Sequence, residues 1–87
     1  MLIEIVTPDE KIFEGEVSSA IFPGSHGSFQ ILNNHAALVS TLGKGEIKFV
    51  KVINNNKSEE IQIQVDGGVV EVLNNKVTVL AEKVIKE

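Results

Sequence analysis

Apolar and polar residues alternate along most of this chain, and they do not recur at helical spacing over three turns anywhere in it. Ile61-Gln62-Ile63-Gln64-Val65-Asp66 alternates without a fault. Val77, Val79 and Ala81 fall on one side of a strand, and Glu46-Ile47-Lys48-Phe49 repeats the pattern before it slips at Val50. A period of two places successive side chains on opposite faces of a pleated strand. Turn-forming residues punctuate the pattern at Thr7-Pro8-Asp9, Glu14-Gly15, Pro23 to Gly27, Asn33-Asn34, Gly43-Lys44-Gly45, Asn54 to Lys57, Asp66-Gly67-Gly68 and Asn74-Asn75. Asn and Gly accept positive φ, so tight hairpins can close at these points. The runs between them predict about nine strands, at 2–7, 10–14, 16–22, 28–32, 35–42, 45–53, 58–65, 68–73 and 76–81. The tail from Glu82 is a further edge strand or a frayed end. Short strands on short turns pair with their sequence neighbours. The expected fold is therefore all-β: one domain over residues 1–87, a flattened antiparallel sandwich or barrel of about nine or ten strands.

Composition narrows the function. The chain has no Cys, which removes disulfides, thiolate chemistry and Cys-ligated metals together. Its eight basic residues are all Lys, against twelve acidic ones, for a formal charge of −4. Nucleic acid and anionic lipid both need a basic face, so neither is an expected partner. The apolar runs reach four residues at Ala36-Ala37-Leu38-Val39, whereas a spanning helix needs about 20. The first residues have neither the basic nor the apolar region of a signal peptide, so the chain is expected to stay in the compartment that makes it.

Chemistry-bearing clusters are sparse. His26 and His35 each stand beside a turn, but zinc needs at least one more placed ligand, and two surface histidines are the simpler expectation. No Ser occupies a nucleophile-elbow pattern, and Gly24-Ser25-His26-Gly27 is not followed by a helix that would complete a phosphate cradle. Acidic neighbours such as Asp9-Glu10 and Glu59-Glu60 point to opposite faces of a strand and form no carboxylate dyad. No catalytic residue, metal or cofactor is expected. Lys57, near the tip of an Asn-rich hairpin, resembles the modified Lys of a carrier domain, although Asn56 and Ser58 lend no support. More informative are Val69-Val70-Glu71-Val72-Leu73, Val50-Lys51-Val52-Ile53 and Ala36 to Val39, which are apolar on both strand faces. Either these segments pack at sandwich corners, or an outer face is covered by another protein.

Several blocks resemble one family. Ile3-Glu4-Ile5-Val6-Thr7-Pro8 and Ile12-Phe13-Glu14-Gly15-Glu16-Val17 look like the opening of the epsilon subunit of F-type ATP synthase. The stretch from Pro23 to Leu38 resembles its most distinctive block, Pro-Gly-x-x-Gly-x-Phe-Gly-Val-Leu-Pro-x-His-Ala-Pro-Leu. Gly43-Lys44-Gly45-Glu46-Ile47, Asp66 to Val72 and Asn75 to Ala81 match later blocks in order. Gln30, Asn33 and Ala37 depart from the pattern by replacing a Gly and two Pro. The resemblance implies a non-catalytic rotor subunit in the central stalk, without a cofactor. Its implied partners are the gamma subunit and the c-ring, at the cytoplasmic face of a bacterial inner membrane. Expected c-ring contacts are Ser25, His26, Ser28, Asn33 and Asn34. Expected gamma contacts are His35, Ser40, Asp66, Val70 and Glu71, on one outer sheet face. Longer relatives carry a C-terminal helical pair that senses ATP and hinders rotation. That helical domain is expected to be absent here, so the chain should neither inhibit by insertion nor bind ATP. The alternative from another class is a free-standing carrier or ligand-binding β domain.

Overall fold

In the computed structural model, which describes residues 1–85, the alternating segments are strands and the described residues contain no helix. They are β1 (Leu2–Val6), β2 (Lys11–Gly24), β3 (Gly27–Leu32), β4 (Leu38–Asn54), β5 (Lys57–Leu73), β6 (Lys76–Ala81) and β7 (Val84–Ile85). The predicted all-β class holds, with seven strands in place of nine or ten. Three of the expected turns do not reverse the chain. Glu14-Gly15 lies inside β2, Gly43-Lys44-Gly45 inside β4 and Asp66-Gly67-Gly68 inside β5. At each, a long strand bends and passes from one sheet into the other.

Gly67 and Gly68 show why glycine stands at such a bend. Their φ values are 82° and 141°, a region that L side chains rarely adopt. A Cβ on Gly68 would lie 2.4 Å from the Leu80 carbonyl oxygen, so β6 closes that side completely. The genuine reversals fall at Thr7-Pro8-Asp9, Ser25-His26, Asn33-Asn34, Asn55-Asn56 and Asn74-Asn75. Asn74 and Asn75, at φ 50° and 61°, give the two successive positive values of a type I′ hairpin turn.

The strands pair in the order β1-β6-β5-β4-β2-β3, and a further β1–β2 pairing closes β1, β6, β5, β4 and β2 into a ring. The β1–β6 pairing is parallel, unlike the other ladders, because β1 slots between β2 and β6 to complete that ring. Divided at the bends, the ring is a sandwich. One sheet holds the N-terminal parts of β4 and β2, the C-terminal part of β5, and β6 and β1. The other holds β3, the C-terminal parts of β2 and β4, the N-terminal part of β5, and β7.

Between them lies an apolar core with no buried polar side chain among the described residues. Ile3, Ile5, Val70, Val72, Val77 and Val79 come from the first sheet; Ala20, Phe22, Ile31, Ile47, Phe49 and Val65 come from the second. Phe22 stacks on Phe29 at 5.6 Å between ring centroids, and Phe13 tilts against Phe49 at 4.7 Å.

Candidate functional site

The chemistry of this fold lies along β3 and the segment that follows it. Gly24 and Gly27 pair across the β2–β3 turn, and a Cβ on Gly24 would lie 2.6 Å from the Gly27 carbonyl oxygen. The turn is therefore narrow, with Ser25 and His26 at its tip. Two bonds anchor the tip to β4: the Ser25 N–H donates to the Thr41 carbonyl at 3.1 Å, and the Thr41 hydroxyl donates to Ser25 Oγ at 2.8 Å. Ser25, His26 and Ser28 are all exposed. They form a stiff projection with short polar side chains.

Asn33 and Asn34 stand at the other end of β3, about 20 Å away for a six-residue strand. The two groups of expected c-ring contacts are therefore not brought together. Asn33 Oδ1 accepts a 2.9 Å bond from the Met1 ammonium, and the Asn34 N–H donates to Asn75 Oδ1 at 2.8 Å. Asn33 thus ties the β3–β4 connection to the N-terminus, and Asn34 ties it to the β5–β6 turn. His26 and His35 are likewise separated by the length of β3. Lys57 sits exposed across from Asn54 at the β4–β5 hairpin tip.

His35 and Ser40 do converge. With Phe29, Gln30 and Leu38 they line a shallow side groove of about 230 Å³ between the edge of β3 and the start of β4. His35 donates from Nδ1 to the Ala36 carbonyl at 2.8 Å, which fixes its tautomer and leaves Nε2 for an external partner. No Lys, Asp or Glu lines this groove.

Around its lip the groove continues onto the outer face of the first sheet. There Val39 pairs with Glu71, and Glu71 with Thr78; Thr41 pairs with Val69, and Val69 with Leu80. Val39 is 70 % exposed, Leu73 51 % and Leu80 55 %, and these apolar side chains share the face with Thr41, Glu71, Lys76 and Thr78. The two-faced apolar runs thus leave side chains uncovered as well as filling corners.

Two expected gamma contacts lie elsewhere. Val70 shares its phase with Val72, not with Val69 and Glu71, and is fully buried. It packs the core and offers no side chain to a partner. Asp66 stands at the β5 bend, opposite Lys44, where its N–H donates to the Lys83 carbonyl at 3.0 Å. The glycines beside it are approached closely from within the chain, by Glu82 and by β6. Leu38, Val39 and Leu73 lie in the two-faced apolar runs that the sequence singled out, whereas Phe29 and Leu80 were not singled out. The signal for these two was present: each is apolar in a strand, and Leu80, like Val39 and Leu73, sits on the phase opposite the core.

Charge gathers toward β1 and β2 on the same outer face, where Glu4 pairs with Thr78 and with Glu14. Lys11 bonds Glu14 at 3.0 Å and Glu4 at 3.2 Å, and these partners, Glu14 first, raise its pKa above the ordinary 10.5.

Comparison with known proteins assigns the family. The model of the ATP synthase delta/epsilon chain β-sandwich domain matches residues 1–87. The chain belongs to that family. The ATP synthase epsilon chain of Chlorobium limicola is 43 % identical over 82 residues, covering 94 % of this chain and 89 % of the relative. That of Leptospira borgpetersenii is 41 % identical over 81 residues, covering 92 % of this chain but 59 % of the relative. The chain thus spans little more than half the length of some relatives and nearly all of others. Among solved structures, a chain of the Tetrahymena thermophila mitochondrial ATP synthase central stalk and c-ring matches with a TM-score of 0.77 at 22 % identity, covering 99 % of this chain and 66 % of that one. A chain of the Euglena gracilis mitochondrial enzyme matches with a TM-score of 0.83 at 18 % identity, over 98 % and 52 %. At such identities these two likenesses establish the sandwich fold. The family is that of a structural or regulatory subunit of the synthase and not of its catalytic one. No helix among the described residues is long and apolar enough to cross a membrane.

Proposed function

We propose that this chain is a rotor subunit of a bacterial F-type ATP synthase. In this reading it sits on the c-ring at the cytoplasmic face of the inner membrane and couples gamma to the ring during rotation. The observation that carries it is the whole-length family match on a sandwich with two unlike exposed surfaces. The side groove with Phe29, His35, Leu38 and Ser40, continued by Val39, Glu71 and Leu73, takes gamma. The Ser25-His26 tip with Ser28 takes the polar loops of the c-ring. Asn33 Oδ1 and the Asn34 N–H are engaged within the chain, at the far end of β3 from the tip, and this turn is left out of the contact set.

Coupling needs a joint that resists shear. Closing five strands into a ring leaves no ladder free to slide, and a close-packed core resists compression. Short hydroxyl and imidazole groups at the tip bond polar loops without burying charge. A groove without a charged lining residue, beside the exposed Val39 and Leu73, supports a protein contact in which gamma supplies hydrogen-bond partners for His35, Ser40 and Glu71. These residues transmit rotation without themselves binding ATP or blocking hydrolysis.

Co-expression with gamma and the c-ring tests the reading. The chain should co-purify with gamma, and cysteines placed at His26 or Ser28 should cross-link to c subunits. A chain that elutes alone, or cross-links that form only to alpha or beta, would refute it. So would an added mass on Lys57, which is the carrier reading's signature.

A further inference from the structure

The free edge of β3 is unguarded. β3 pairs with β2 alone, so its other edge has no ladder. The Ser25-His26 loop has two residues, so Gly24 and Gly27 form the closing hydrogen-bonded pair, and such pairs then alternate along the ladder. Gly27, Phe29 and Ile31 therefore bond to β2, while Ser28, Gln30 and Leu32 turn their backbone groups outward. Pro23, opposite Ser28, fits this phase because it has no N–H to give. The Leu32 carbonyl is taken by the His35 N–H at 3.2 Å. What remains along the edge is the N–H and C=O of Ser28 and of Gln30, and the N–H of Leu32.

Natural sheets protect such an edge with charge, proline or a bulge. β3, Gly27-Ser28-Phe29-Gln30-Ile31-Leu32, has none of these and pairs in continuous register. The other open edge of the same sheet, the start of β5, carries Lys57, Glu59 and Glu60. The unguarded edge also lies directly against the uncharged groove, whose floor is Phe29 and Leu38. A backbone template and a groove that holds Phe29 and Leu38 among polar neighbours thus run side by side, the arrangement that strand addition uses.

We propose that gamma docks on this chain by strand addition: an extended, uncharged segment of gamma pairs with β3 and lays alternate apolar side chains into the Phe29–Leu38 groove. This rests on the rotor reading above and names how its contact is made. A second copy of the chain is the poorer occupant, because each copy carries a formal charge of −4.

Amide hydrogen exchange on the free chain and on its complex with purified gamma tests it. In the free chain the amides of Gly27, Phe29 and Ile31 should be protected, and those of Ser28, Gln30 and Leu32 should exchange fast. In the complex the second set should slow by at least about tenfold, as new ladder bonds require. Gln30→Pro removes one outward N–H and should weaken binding by about tenfold or more. Gln30→Ala keeps that N–H and should lose clearly less affinity than Gln30→Pro. Circular dichroism checks that both variants fold. Binding without the alternating protection, or with gamma unaffected by a folded Gln30→Pro, overturns strand addition and leaves the rotor reading standing. Pairing of two copies through β3, or no binding of gamma at all, overturns both.

Discussion

Replacing Gly68 by Ala should do more damage than any other single methyl added to this fold. The residue holds φ at 141° where β5 bends from one sheet into the other, opposite Ala81. Forcing a side chain into so sparsely populated a region costs about 1–3 kcal/mol. The new Cβ would also lie 2.4 Å from the Leu80 carbonyl oxygen and 3.0 Å from Ala81 Cα. Those are backbone atoms, and they yield only if β6 moves off β5. Parting the ladder there breaks one or two hydrogen bonds worth about 1 kcal/mol each. The expected loss is about 3–4 kcal/mol, and for a domain of this size the Tm should fall by roughly 15–25 °C. Gly27→Ala is the control. Its φ is 126°, but nothing lies within 4 Å of the added carbon, so only backbone strain of about 1–2 kcal/mol applies. The chain has neither Trp nor Tyr, so urea unfolding should be followed by far-ultraviolet circular dichroism. If Gly68→Ala costs no more than Gly27→Ala, the bend is not held by β6 and the argument fails.

Other substitutions probe separate parts of the account. Phe49→Ala should cost about 3–5 kcal/mol in the same urea assay, because it opens the core beneath Phe13. Asn75→Gly keeps the positive φ but removes the acceptor for the Asn34 N–H, for a loss of about 1 kcal/mol. Asn74→Gly, by comparison, should be nearly neutral. Thr41→Ala should free the β2–β3 tip, read as faster exchange at the Ser25 amide with little change in global stability. Lys11 has a raised pKa, so its pairing with Glu14 and Glu4 contributes fully below the unfolded value near 10.5 and is lost only as pH rises through the higher folded value. Lys11→Met and the parent chain should therefore show parallel stability curves between about pH 6 and 9, and a divergence there would contradict the assignment.

Strand positions were legible because burial on one face imposes a period of two. Ile61 to Val65 and Val77 to Ala81 follow it, with Val65, Val77, Val79 and Ala81 in the core. The Asn74-Asn75 turn was legible because two successive Asn residues accept positive φ at modest cost. Glycine was ambiguous. Gly43, Gly67 and Gly68 read as hairpins, yet glycine serves a strand bend as well as a reversal, and only the tertiary ladder distinguishes them. Val70 was misplaced because Val69-Val70 offers two phases, and the choice depends on which neighbour faces Val79 and Val77 across the sheet. His35 and Ser40 were found through family resemblance. Their union with Phe29 and Leu38 in one groove depends on how the β3–β4 connection folds back, which no local pattern encodes.

The account stands on gamma binding at the side groove, and calorimetric titration of purified gamma with this chain measures it most directly. Ser40→Arg would place a charge in the groove, whereas Ile53→Arg would place one on the exposed β4–β5 hairpin, outside the proposed contact. The account predicts a one-to-one complex, weakened about a hundredfold or more by Ser40→Arg as a buried unpaired charge requires, and left within about threefold by Ile53→Arg. No complex, or equal losses from the two variants, would contradict it.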